Sequence, residues 1–187
     1  MDISFVIITG GSKPKHVDRL LKSIKKQNIK NFESIVVGNT KDLNIDLFSM
    51  GISAPASNKI KLIEETSAAK NGELGVMRNR GCREAEFDNI VILDDDLLLT
   101  KDWYKNLLKS QDESFDDYDI LTCQVRVPDG GRYWDHACYQ SPKNGHVTLE
   151  ADEDDDYLYM SGGCSWLMKK HVFDKIQYDS SEIYSMS

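Results

Sequence analysis

The chain has 187 residues, 40% hydrophobic and 29% charged, the proportions of an ordinary globular fold, which excludes wholesale disorder, collagen-like repeats and coiled coil. Its 23 Lys and Arg face 31 Asp and Glu, and the net charge of −8 disfavours binding to a nucleic-acid backbone, whose phosphates require positive charge at the interface. The longest apolar runs have four residues, against about 20 for a membrane-crossing helix. The amino terminus shows no signal-peptide pattern, so a cytoplasmic chain with no membrane span is expected. The cysteines form no C-x-x-C pair and read as free thiols.

The segment SFVIIT, ending at Thr9, reads as a buried strand that stops at Gly10 and Gly11. Val17, Leu20, Leu21 and Ile24 then recur at helical spacing between basic residues, which predicts an amphipathic helix to about Gln27. A second apolar run, Ile35 to Val37, closes at Gly38 and Asn39, so residues 4–38 form a strand, helix, strand unit suited to parallel pairing. Lys59 to Glu64 reads as a short strand near a sheet edge, Asn71 to Gly75 as a turn, and Val76 to about Glu86 as a helix. Ile90 to Leu93 is a third buried strand that runs into Asp94, Asp95 and Asp96. Beyond it, Lys101 to Lys109 predicts a helix with Trp103, Leu107 and Leu108 inward, and Asp119 to Val127 a strand. Residues 128–150 carry short strands, and Tyr157 to Met160 reads as a strand that turns through Gly162 and Gly163 into a helix from Trp166 to Phe173. The alternation of strands and helices is that of an α/β fold.

The chemistry concentrates at the three aspartates. Two carboxylates about 4 Å apart repel by roughly 1 kcal/mol in water and roughly 4 kcal/mol in a partly buried site, so a cation is the expected partner. Ligands of open α/β sheets bind at the carboxyl ends of the strands, where these residues stand. Alternation along an extended chain puts Asp94 and Asp96 on one side and Asp95 on the other, so that two carboxylates share one magnesium or manganese ion with room for phosphate oxygens. The strand ends at Thr9 to Gly11 and at Gly38 and Asn39, with Arg78 as fixed positive charge for phosphate, complete the outline of a nucleoside-diphosphate site.

In this order and spacing, SFVIITGGSK, SIVVGNTKD, GVMRNRGCREAEFDNIVILDDD and YMSGGCSWLMKKHVF resemble the strand-and-turn, arginine-asparagine helix, Asp-x-Asp and Gly-Gly segments of family 2 glycosyltransferases. The resemblance covers nearly the whole chain and implies one GT-A domain, a Rossmann-like mixed, mainly parallel sheet flanked by helices. Residues 1–100 would form its nucleotide-binding half and 101–187 its acceptor side. It implies a nucleoside-diphosphate sugar as donor, UDP-linked, a glycan, lipid or small-molecule acceptor, and Mn2+ or Mg2+. It places Thr9 and Gly10 near base or ribose, Asp94 near the ribose and with Asp96 at the metal, Arg78 by the phosphates, and Gly162 and Gly163 at the donor sugar.

Two departures accompany the resemblance. Gly38 and Asn39 stand where the family has an acidic pair, so the Asn39 amide would take over the contact to the base. The family's catalytic acidic pair, beyond the Gly-Gly segment, has no counterpart before Ser187, so the base is expected to be Asp179 or Glu182, or the chain to be a fragment. The expected reaction is inverting displacement, with Trp134, Tyr139 and Trp166 as residues able to stack on sugars. A sugar-phosphate nucleotidyltransferase and a non-catalytic nucleotide- or glycan-binding module stay open as alternatives.

Overall fold

The three apolar runs that the sequence marks as buried strands lie side by side and parallel at the centre of one sheet. The computed structural model describes residues 1–41, 43, 58–114, 119–123, 125–131, 138–141, 145–148, 158–159 and 165–181. The first half holds β1 (Ile3–Thr9), α1 (Pro14–Lys25), β2 (Phe32–Gly38), β3 (Asn58–Glu64), α2 (Thr66–Asn71), α3 (Leu74–Arg83) and β4 (Asn89–Asp94). The second holds α4 (Trp103–Ser114), β5 (Ile120–Thr122), β6 (Cys138–Ser141), β7 (Gly145–Thr148), β8 (Leu158–Tyr159), β9 (Ser165–Lys169) and α5 (Lys170–Lys175). The main sheet has the order β3-β2-β1-β4-β9-β5, and β6, β7 and β8 form a small antiparallel sheet of their own. The β3, β2, β1 and β4 strands are parallel, whereas β9 runs antiparallel to both β4 and β5.

Both faces of the sheet are covered at its centre, which is why β1, β2 and β4 read as unbroken apolar runs instead of alternating ones. Ile3, Phe5 and Ile7 point to one face and pack with α1, while Val6 and Ile8 point to the other and pack with Met77 and Cys82 of α3. The α1 stripe of Val17, Leu20, Leu21 and Ile24 is buried, a contribution on the order of 6 to 12 kcal/mol before conformational entropy is subtracted. Pro14 starts this helix, where its missing N–H costs nothing. Helix α3 lies so close to the sheet that a Cβ on Gly81 would sit 2.4 Å from Val6 Cγ1. At the far end of the strands, the buried Glu33 carboxylate accepts 2.6 Å bonds from Ser4 Oγ and from the Glu86 amide, tying the α3–β4 connection to the sheet.

The second half differs most from the sequence-based expectation. Trp166–Lys169, read as the start of a helix, belongs to the strand β9 (Ser165–Lys169), and helix begins only at Lys170. The free edge of β4 is the physical reason: β9 pairs with it over five residues and buries Leu167 and Met168, which outweighs local helix preference. Of the strand expected over Asp119 to Val127, the described residues show β5 at Ile120–Thr122. The short helix α2 was not foreseen, and α3 starts at Leu74, inside the expected turn, after Gly72 ends α2 in the left-handed region.

Candidate functional site

A cleft of about 610 Å³ opens at the carboxyl ends of β1 and β4. Ile8, Thr9 and Gly10 form one wall, and Asp94, Asp95 and Asp96 form another. Leu74 and Met77 of α3 supply apolar surface, and Lys13 and Lys70 add positive charge. A parallel sheet brings strand ends to one edge, so Thr9 and Asp95, 86 positions apart in sequence, meet here.

The Thr9 hydroxyl holds the site together: it donates to Asp95 Oδ2 at 2.6 Å and accepts from the Gly11 amide at 3.0 Å. Strand β2 ends against the same residue, because the Asn39 amide donates to the Thr9 carbonyl at 3.2 Å. Gly38 has φ of +139°, and a Cβ there would lie 1.9 Å from the Thr9 carbonyl oxygen, so only glycine lets the two strand ends meet. The Asn39 side-chain oxygen accepts from Thr66 Oγ1 at 3.3 Å. Alternation does not extend through the aspartates. Strand β4 stops at Asp94 and the chain turns at Asp95, so all three carboxylates line one cleft and none is sent to the opposite face.

Arg78, 9% exposed, reaches from α3 to Asp94 with Nη2 to Oδ1 at 3.5 Å. Burial pushes the Asp94 carboxyl up to about 6 against the pull of the Arg78 guanidinium, and the charges of Asp96 and Asp95 push the same way. Asp95 is also raised, by burial, with the Thr9 hydrogen bond opposing. A divalent cation relieves such a site, and hard carboxylate oxygens are its preferred donors. Among the described residues, no three His, Cys, Asp or Glu side chains converge to hold a metal by themselves. The arrangement fits an ion held by one or two carboxylates and by oxygens of a bound diphosphate.

Of the expected site residues, Thr9, Gly10, Asp94 and Asp96 line the cleft, Arg78 bonds one of its walls, and Asn39 is fastened to Thr9 beside it. Asp179 is exposed, and its carboxylate accepts from the Ser181 hydroxyl and amide at 2.6 and 2.7 Å, which lower its pKa. Gly162, Gly163, Glu182, Trp134 and the side chains of Tyr139 and Trp166 lie outside the described residues. Sequence reasoning missed both lysines: Lys70 because the helix carrying it carries no strong local signal, and Lys13, which follows Gly10, Gly11 and Ser12, because a lone lysine after a turn does not by itself mark a site.

The profile of glycosyl transferase family 2 matches residues 4–176. The chain belongs to glycosyl transferase family 2. No curated protein matches it. Among solved structures, this family 2 chain is similar to the 1–349 fragment of TarS from S. aureus, with 17% identity and a TM-score of 0.65 over 99% of the chain and 52% of the fragment. The same fragment in complex with UDP gives 20% identity and a TM-score of 0.63 over 96% and 51% of the two chains. The mannosyltransferase PcManGT from Pyrobaculum calidifontis, in complex with GDP-Man and Mn2+, gives 21% identity and 0.52 over 68% and 36%. At these identities the likeness shows the fold, which is GT-A, and the chain spans about half the length of the TarS fragment. Among the described residues no helix is long and apolar enough to cross a membrane.

Proposed function

We propose that this chain acts as a cytoplasmic, metal-dependent glycosyltransferase that moves a sugar from a nucleoside-diphosphate sugar, UDP-linked, to a hydroxyl of a glycan, lipid or small-molecule acceptor. The observation that carries the reading is the meeting of Asp94, Asp95, Asp96 and Thr9 in one cleft beside Arg78, in a chain of family 2. Residues 1–100 would hold the nucleotide and 101–187 the acceptor side, with Gly162 and Gly163 approaching the donor sugar.

In this reading Thr9, Gly10 and Asn39 receive base and ribose, Asp94 reaches the ribose, and Asp94 and Asp96 hold Mn2+ or Mg2+ against the diphosphate. When bound, that ion offsets negative charge on the diphosphate oxygens. Arg78 adds fixed positive charge at the same end, where charge develops as the bond from the anomeric carbon to the diphosphate breaks and its electron pair leaves with the nucleotide. The acceptor hydroxyl forms the new bond to that carbon from the opposite face, with inversion, and its proton passes to a carboxylate. Asp179 and Glu182 are the proposed bases. Asp179 is ionised at neutral pH, as a base must be, although its bonds to Ser181 lower its proton affinity.

Thermal unfolding with UDP, GDP and dTDP, each with and without manganese, tests the donor site. At 100 times its dissociation constant a nucleotide adds about 2.7 kcal/mol, or about 5 to 10 °C for a chain of this size. One nucleotide should stabilise the wild type only with metal, and Asp96→Asn should lose the effect. Equal stabilisation of both proteins would overturn the assignment of Asp96. Nucleotide binding with no sugar transferred or hydrolysed would mark a binding module.

A further inference from the structure

Residues 177–181, just beyond the segment that matches the family profile, lie along α3 and contact it repeatedly. The Asn79 side chain is 2% exposed and pairs with the Tyr178 backbone at both ends: its amide nitrogen donates to the Tyr178 carbonyl at 2.8 Å, and its oxygen accepts from the Tyr178 amide at 2.9 Å. The same amide nitrogen also donates to Ser180 Oγ at 3.2 Å, and Arg83 Nη2 donates to Gln177 Oε1 at 2.6 Å. The segment needs Gly75, because a Cβ there would sit 1.9 Å from the Asp179 carbonyl oxygen. Positions 75, 78, 79 and 83 share one helix face, so these contacts follow a single line down α3. On that line the Arg78 guanidinium lies over the Tyr178 ring, with Cζ 5.5 Å from the ring centroid.

We propose that residues 177–181 are a strap and that Tyr178 is a positioning residue, holding the Arg78 guanidinium toward Asp94 and the diphosphate end of the cleft. This rests on the donor-site reading. Arg78 has a long rotatable side chain and its contact to Asp94 is a long one at 3.5 Å, so a ring face against the guanidinium adds to what orients it. The aromatic face accepts the cation where water is largely excluded, and Asn79 fixes the backbone that carries the ring. The ordering of Arg78 is thereby completed on folding and need not be met when a nucleotide binds.

The test uses the full chain, with UDP and manganese as probe in calorimetric titrations. Tyr178→Leu should weaken UDP by about five- to tenfold, while Tyr178→Phe, which keeps the ring face, should stay within about twofold of wild type. In an Arg78→Ala background, Tyr178→Leu should cause no further loss, because its effect passes through Arg78. Where Arg78→Ala itself weakens UDP, an unchanged affinity in Tyr178→Leu, or a loss that persists in the Arg78→Ala background, overturns the proposal. A second readout needs no nucleotide: the Arg78 Nε–H resonance should carry a ring-current shift in wild type and Tyr178→Phe that disappears in Tyr178→Leu. If Arg78→Ala leaves UDP binding intact, or UDP does not bind, the donor-site reading fails and this resonance decides. Its dependence on the ring supports the strap, and one common shift in all three proteins overturns it.

Discussion

Asp94 makes the ligand-free protein less stable as pH rises, and Asp94→Asn should reveal by how much. Its carboxyl moves from 3.8 to about 6 in the folded chain, chiefly because burial penalises the charged form. A group that binds its proton more tightly when folded stabilises the protein below its unfolded pKa, and that contribution disappears as pH rises through the folded value. Moving a carboxyl this far corresponds to about 3 kcal/mol at full value. Because 32% of the side chain remains in solvent, water screens part of the penalty, and about 1 to 2 kcal/mol is expected. Urea denaturation of both proteins without metal, from about pH 4 to about pH 7, measures the difference directly and cancels the titration of the other carboxylates. Asp94→Asn should gain about 1 to 2 kcal/mol on the wild type over this range, about 2 to 8 °C in Tm. Manganese with UDP at neutral pH should then favour the wild type. A difference that stays constant with pH would refute the reasoning, since no buried carboxylate would be losing a proton there.

Gly81→Ala should cost about 1 to 3 kcal/mol in urea denaturation, because the new Cβ would lie 2.4 Å from Val6 Cγ1 and 3.1 Å from Val37 Cγ2 and α3 must move off the sheet. An unchanged midpoint would show that the helix has room. Glu33→Ala should cost about 2 to 4 kcal/mol by orphaning the Ser4 hydroxyl and the Glu86 amide. UDP affinity should survive it, because Glu33 lies at the opposite end of the strands from the cleft. Thr9→Val keeps the shape and removes the 2.6 Å bond to Asp95, so manganese-dependent stabilisation by UDP should shrink; an undiminished shift would mean that Asp95 needs no anchor. With Asp179 as the base, Ser181→Ala should move the acid limb of kcat/KM to higher pH, because it removes the hydroxyl bond, the larger of the two that lower the Asp179 pKa, and leaves the amide bond. An acid limb that does not move would assign the base elsewhere.

The central strands, α1 and the aspartate edge were legible because their signals are local. A run such as Ile90 to Leu93 is apolar on both faces only where helices cover both, and it stops where the chain reaches the edge with the candidate site. Order along the chain was therefore enough to bring Thr9 and Asp94 to one edge, since parallel strands that start together end together. Other features depend on partners distant in sequence. Whether Trp166 to Met168 is strand or helix depended on the open edge of β4, and the direction of Asp95 depended on a turn and on the Thr9 hydroxyl 86 positions away. Tyr178 carried no local sign of its place beneath Arg78, because a single aromatic has no periodicity to read. Hydrophobic pattern and strand order by themselves determined the α/β fold and the edge that holds the candidate site. The tertiary structure alone decided how Arg78, Asp94 and Tyr178 pack, because hydrogen bonds and ring contacts between distant segments depend on ångström-scale packing that no linear pattern records.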